Sequence, residues 1–193
     1  MTSKDLFLLA DAALREVIDS ITPQQLELPV PAAWSHKPVA NLRGTLALHA
    51  QDEAWVPDVI AGRTIEEVGD TWKGDLLGDD PIAAYDRLND LATAAVNGVT
   101  DLEAVAHLSY GDLPLSVFFE HTSYFRGFQS VAIAKLIGLD WRMSDALVDA
   151  LWDSVIPQVD DLRAIHVFGP EVPVPDDADK QTRLLGKTGF YEP

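Results

Sequence analysis

The sequence predicts an all-α fold, and three observations carry that expectation. Apolar residues recur at helical spacing through several long segments. Capping residues and glycine or proline stops bracket those segments, and only one short stretch alternates as a strand does. The 193 residues fit a single domain spanning 1–193, with a short C-terminal extension from about residue 157. Hydrophobic residues at 47% and charged residues at 23% match an ordinary globular protein.

The first helix is expected over Lys4 to Ile21, where Phe7, Ala10, Leu14, Val17, Ile18 and Ile21 share a face. Ser3 is its predicted N-cap and Thr22-Pro23 its exit. A connector, Leu28-Pro29-Val30-Pro31, leads to Trp34. Pro38 suits the first turn of a second helix running to about Ala61, stopped by Gly62 and kinked at Pro57. A short helical turn at Thr64 to Val68 and a glycine- and aspartate-rich loop, Lys73 to Asp80, follow. Asp80-Pro81 pairs an N-cap with a first-turn proline and opens a third helix that closes at Asn97-Gly98.

Val105 to Tyr110 alternates weakly and predicts a short extended segment, with Tyr110-Gly111-Asp112 as a turn. Leu113-Pro114 opens a long helix to Ile137, stopped by Gly138. Ser144-Asp145 caps another through Ile156, ended by Pro157. The tail holds an extended Val172-Pro173-Val174-Pro175 and a short helix near Asp177 to Leu185.

Composition removes several functions. Without cysteine there is no thiol nucleophile, disulfide, iron–sulfur cluster or zinc finger. Lys plus Arg number 14 against 31 Asp plus Glu, and a net charge of −17 repels nucleic acid. The N-terminus has no signal-peptide pattern and no window reaches the apolar length of a membrane span. The expectation is a cytoplasmic protein, monomer or homodimer, whose partner is a small molecule rather than nucleic acid or membrane. Asp75, Asp79 and Asp80 do not match a calcium loop, and no phosphate loop, dinucleotide fingerprint or nucleophile elbow is present.

Several blocks resemble a known group. These are Trp34, the run from Trp55 to Asp70, Gly74 to Pro81, Leu108 to Pro114, and the tail Phe168 to Ala178 with Arg183-Leu184-Leu185. Together they resemble actinobacterial DinB-like proteins, relatives of the mycothiol-dependent maleylpyruvate isomerase, over nearly the whole chain. The resemblance implies a four-helix bundle with a long crossover loop and a C-terminal extension with little strand. It also implies a divalent cation, zinc or nickel, held by a His of the second helix and an acid-xxx-His pair of the third. The i, i+4 spacing of that pair places two ligands on one helix face.

The ligands themselves are missing. Counting back from Gly138 puts Phe125 at the family's acid and Gln129 at its histidine, and counting from Trp55 puts Leu48 at the other histidine. Phe has no donor atom, and an amide is a poor zinc ligand. His49 follows Leu48 but is rotated by about 100° on a helix. The resemblance therefore implies a degenerate metal site.

Three residues remain as candidate catalytic groups: His121, His49 and Glu53. His49 and Glu53 stand i, i+4 on the face shared with Leu42, Leu46 and Val56. They are either an ordinary helix pair or a carboxylate-oriented imidazole for acid–base work. His121 stands one turn before Phe125 and two before Gln129, with Glu120, Tyr124 and Arg126 around it, and is either structural or a proton-transfer group. Gln129, Phe125, Tyr124, Phe128, Trp55 and Leu48 are the candidate substrate-binding residues. Core packing is the default explanation of the aromatics, but around a lost polar site they also suit an apolar pocket. His36, His107 and His166 lack companions at ligand spacing and receive no role.

Three functions compete. The first is a metal-independent isomerase or cyclase acting on an apolar biosynthetic intermediate, with no cofactor. The second keeps the family chemistry, with zinc or nickel on relocated ligands (His49, Glu53, His121) and mycothiol as cosubstrate. The third is a noncatalytic small-molecule-binding or resistance protein.

Overall fold

A computed structural model describes residues 1–31, 34 and 39–191. Its elements are α1 (Ser3–Ile18), α2 (Leu42–Ile60), α3 (Ile65–Val68), α4 (Pro81–Asn97), a hairpin of β1 (Val105–Leu108) and β2 (Gly111–Pro114), α5 (Leu115–Ile137), α6 (Asp145–Val155), α7 (Val159–Ala164) and α8 (Lys180–Thr188). The chain is mostly helical, as its apolar spacing predicts. Of the four long helices, α1 lies along α5 and α2 along α4, and α1 also touches α4.

Local chemistry sets most helix ends. Thr2, rather than Ser3, caps α1: its hydroxyl accepts from the Asp5 N–H at 3.2 Å while the Asp5 carboxylate accepts from the Thr2 N–H at 2.9 Å. Asn41 starts α2 by accepting from the Gly44 N–H at 3.1 Å, and Pro38 lies outside the described residues. The helix continues through Pro57 to Ile60. Asp80 caps α4 through the Ala83 N–H at 3.3 Å, Ser144 caps α6, and Gly138, at φ +70°, ends α5 in the left-handed conformation that glycine favours.

The expected extended segment is the first strand of the hairpin. Val105 pairs Pro114 and Leu108 pairs Gly111, whose φ of +134° accommodates the reversal. At Pro157 the chain does not leave helical structure. A single 3-10 turn, Ile156–Gln158, carries it into α7, because an early-turn proline forfeits no hydrogen bond. The Val172 to Pro175 stretch forms no strand. It packs on α8, with the Val172 N–H donating to the Gly186 carbonyl at 2.9 Å.

The apolar interior falls into three clusters. One, with Leu14, Leu42, Leu46, Tyr85 and Ile133, fills one half of the helix packing. Another, with Phe7, Val56, Ala92, Val96 and Phe119, fills the other half. Between them each long helix contributes a buried polar residue: Asp11 from α1, Glu53 from α2, Asn89 from α4 and Arg126 from α5. The third cluster docks α6, α7, α8 and the tail onto α1 and α5 through Leu6, Phe128, Leu147, Leu151, Phe168 and Leu184.

Candidate functional site

The polar layer is organised by Arg126, the largest fully buried side chain among the described residues. Its Nε donates to Asp11 Oδ1 at 3.1 Å and to Glu53 Oε1 at 3.0 Å, while Nη2 stands 2.7 Å from the same Glu53 oxygen as an ion pair. The guanidinium also lies over the Phe7 ring at 4.7 Å. Thr93 donates to the second Asp11 oxygen at 2.9 Å. Burial pushes the Glu53 carboxyl up, to about 8, against the pull of Arg126 and with the help of Asp11. Burial opposes the Arg126 charge, but Glu53 and Asp11 outweigh it and raise its pKa above the ordinary arginine value.

His49 is wholly buried beside this layer, and its ring stacks on Phe125 with centroids 4.6 Å apart. Neither ring nitrogen has a hydrogen-bond partner among the described residues, so Glu53 does not orient the imidazole as the i, i+4 spacing suggested. Burial, and then the Arg126 charge, push its pKa down to about 3, which keeps the ring neutral.

A cavity of about 540 Å3 opens on the other side of Phe125. Leu48 of α2, with Gln51 and Asp52, forms one wall, and His121, Tyr124, Phe125, Phe128 and Gln129 of α5 form the next. Trp34 and the tail residues His166, Val167, Phe168 and Phe190 complete it. The stripe His121, Phe125, Gln129 thus faces one space, as its spacing of four implies.

Of the nine sequence-selected residues, His121, Gln129, Phe125, Tyr124, Phe128 and Leu48 line this cavity. His49, Glu53 and Trp55 do not. One residue after Leu48, the helix has turned His49 into the interior. Trp55 is half-buried and packs on the apolar cluster of Val56 and Phe119. Arg126 likewise points away from His121, into the charged layer.

His121 is exposed at the cavity mouth, its Nδ1 3.2 Å from the Tyr110 hydroxyl, and partial burial lowers its pKa. Tyr124 is held from outside the cavity: its hydroxyl lies 2.6 Å from Ser154 Oγ and accepts from Gln158 Nε2 at 2.9 Å. Gln129 is 2% exposed; its Nε2 donates to the Trp34 carbonyl at 3.3 Å, and its Oε1 is buried without a partner among the described residues.

Spacing along the chain did not reveal His166, Phe168 and Phe190. His166 has a positive φ of 63°, and Phe190 stacks on Phe128 at 4.9 Å. Their only sequence signal is the apolar, proline-broken tail itself, which has to dock somewhere. His107 pairs across the hairpin with Asp112 at 2.8 Å, and His36 lies outside the described residues.

No group of three or more His, Cys, Asp or Glu side chains placed to hold a metal ion occurs among the described residues. No helix among them is long and apolar enough to cross a membrane. Comparison with protein-family models, curated proteins and solved structures finds no match.

Proposed function

We propose that this chain is a small-molecule enzyme on a DinB-like bundle with a degenerate metal site. It acts as a metal-independent isomerase or cyclase, holding an apolar biosynthetic intermediate in the cavity. The observation that carries the reading is the cavity itself: about 540 Å3, walled by Leu48, Phe125, Phe128, Phe168 and Phe190, with an imidazole at its mouth. Volume and lining suit a small organic ligand oriented by a few polar groups.

The convergence of Leu48, Phe125 and Gln129 on one space supports the degenerate-site part of the proposal. These are the positions that the family resemblance assigns to its metal ligands. Between them they present two hydrocarbon groups and one amide already bonded to Trp34, a donor set unsuited to a divalent cation. The relocated set fares no better, since His49 and Glu53 are sealed behind the cavity wall while His121 is exposed.

In this enzyme His121 transfers the proton. In the tautomer that donates Nδ1–H to the Tyr110 oxygen, Nε2 is the basic nitrogen, and the lowered pKa favours the unprotonated ring at neutral pH. The cavity fixes one conformer of the substrate against it.

Proton exchange tests this without knowledge of the natural substrate. In D2O, 2-tetralone should lose its α C–H signal faster with protein than with buffer, and His121→Ala should slow that exchange roughly a hundredfold or more while the ligand still binds. Binding without exchange in the unaltered protein would leave a noncatalytic carrier. Exchange that survives His121→Ala would remove His121 from the chemistry.

A further inference from the structure

We infer that the cavity selects an uncharged polycyclic aromatic ligand bearing a hydroxyl group, whose O–H donates to Gln129 Oε1. This inference rests on the cavity reading above and adds the chemical class of its ligand.

The Gln129 amide has only one orientation open to it. Its Nε2 donates to the Trp34 carbonyl at 3.3 Å, and turning the amide over would set two acceptor oxygens against each other. Oε1 is therefore the unsatisfied end, in a side chain that is 2% exposed and lines the cavity, with no partner for that oxygen among the described residues. A buried acceptor without a donor is costly, so a ligand that brings an O–H gains more than one that brings only apolar surface. A ketone or ether presented at the same place offers Oε1 nothing.

Charge narrows the class further. None of the described lining residues is Lys or Arg, while Asp52 stands on the wall. The nearest buried cation, Arg126, is turned to Asp11 and Glu53 on the far side. With a net charge of −17 on the chain, a carboxylate, sulfate or phosphate meets no counterion among the described lining residues and a repulsive approach. Shape supplies the rest: Trp34, Phe125, Phe128, Phe168 and Phe190 make the lining strongly aromatic. Gln129 lies eight residues along α5 from His121, about 12 Å of helix rise, so fused rings rather than a single ring span both groups.

Calorimetric titration with 2-naphthol, 2-methoxynaphthalene and 2-naphthoate decides the matter. The unaltered protein should bind 2-naphthol roughly tenfold more tightly than the methyl ether, with 2-naphthoate the weakest. In Gln129→Leu, checked for helical content, the naphthol and the ether should bind equally. Equal affinity of the two in the unaltered protein, a naphthol preference that survives in Gln129→Leu, or tightest binding of 2-naphthoate would overturn the donor assignment while leaving the cavity intact. Should none of the three bind, the cavity reading fails and takes this inference with it. If Gln129→Leu does not fold, the ranking in the unaltered protein decides alone.

Discussion

A guanidinium sealed among four helices sets the residue-scale energetics. Arg126 is compensated chiefly by Asp11 and Glu53, with the Phe7 face and the Thr122 carbonyl beside it, so removing its charge strands two carboxyl groups in the interior. Arg126→Met is expected to lower unfolding free energy by roughly 3–5 kcal/mol in urea titrations. A loss below about 1 kcal/mol, the range of a surface pair, would contradict the compensation described.

His49 and Glu53 act in opposite pH windows. The folded pKa of His49 is depressed from 6.5 to about 3, so its contribution is present above the unfolded value and is lost as pH falls from 6.5 towards 3. In that window the unaltered protein should lose stability relative to His49→Leu by about 1.4 kcal/mol per pH unit. Parallel acid limbs for the two proteins would show that His49 is not held neutral. The folded pKa of Glu53 is raised from 4.5 to about 8, so its contribution is complete below 4.5 and fades as pH rises through 8. Glu53→Gln should therefore flatten the alkaline side of the stability profile.

At the scale of elements, the Val172 to Pro175 stretch is fastened to α8 by close contact rather than by strand pairing, while apolar side chains of α8 and the tail dock on the bundle. A Cβ on Gly186 would lie 2.8 Å from the Val172 carbonyl and 2.6 Å from Val174 Cγ1, so α8 and the preceding stretch approach only through glycine. Gly186→Ala should cost roughly 1–3 kcal/mol of overpacking. It should also weaken 2-methoxynaphthalene binding, because Phe168 and Phe190 belong to the same docked tail. Unchanged binding would mean that the tail does not shape the cavity.

The same elements mark how far the sequence could be read. Asp80-Pro81, Gly138 and Ser144 place helix ends correctly, because caps and left-handed stops act within one turn. The cap at Thr2 displaced the one expected at Ser3 by one residue, since Asp5 completes a reciprocal pair with Thr2. The continuation from α6 into α7 was not legible, as a proline tolerated in an early turn looks like a stop. On α5 the i, i+4 stripe was readable, whereas the part played by His166, Phe168 and Phe190 depends on tail docking, which no local spacing encodes. On α2 one residue of rotation separates Leu48, on the cavity, from His49, in the interior.

At the scale of the molecule, a polar layer divides two apolar halves, and the cavity opens beside that layer with Phe125 between them. The buried ion pairs lie in the interior layer, while the cavity is mostly apolar and aromatic, with Gln51, Gln129, Asp52, His121 and His166 as its polar groups besides Tyr124. On the proposed reading, shape and the His121 imidazole take the place of a bound cation. Amide and methyl NMR shifts during titration with 2-methoxynaphthalene test it most directly. Saturable shifts are expected at Leu48, Asp52, His121, Phe125, Gln129, Phe168 and Phe190, with Trp55 unmoved. Shifts that never saturate, or that cluster at Trp55 and the hairpin instead, would contradict it.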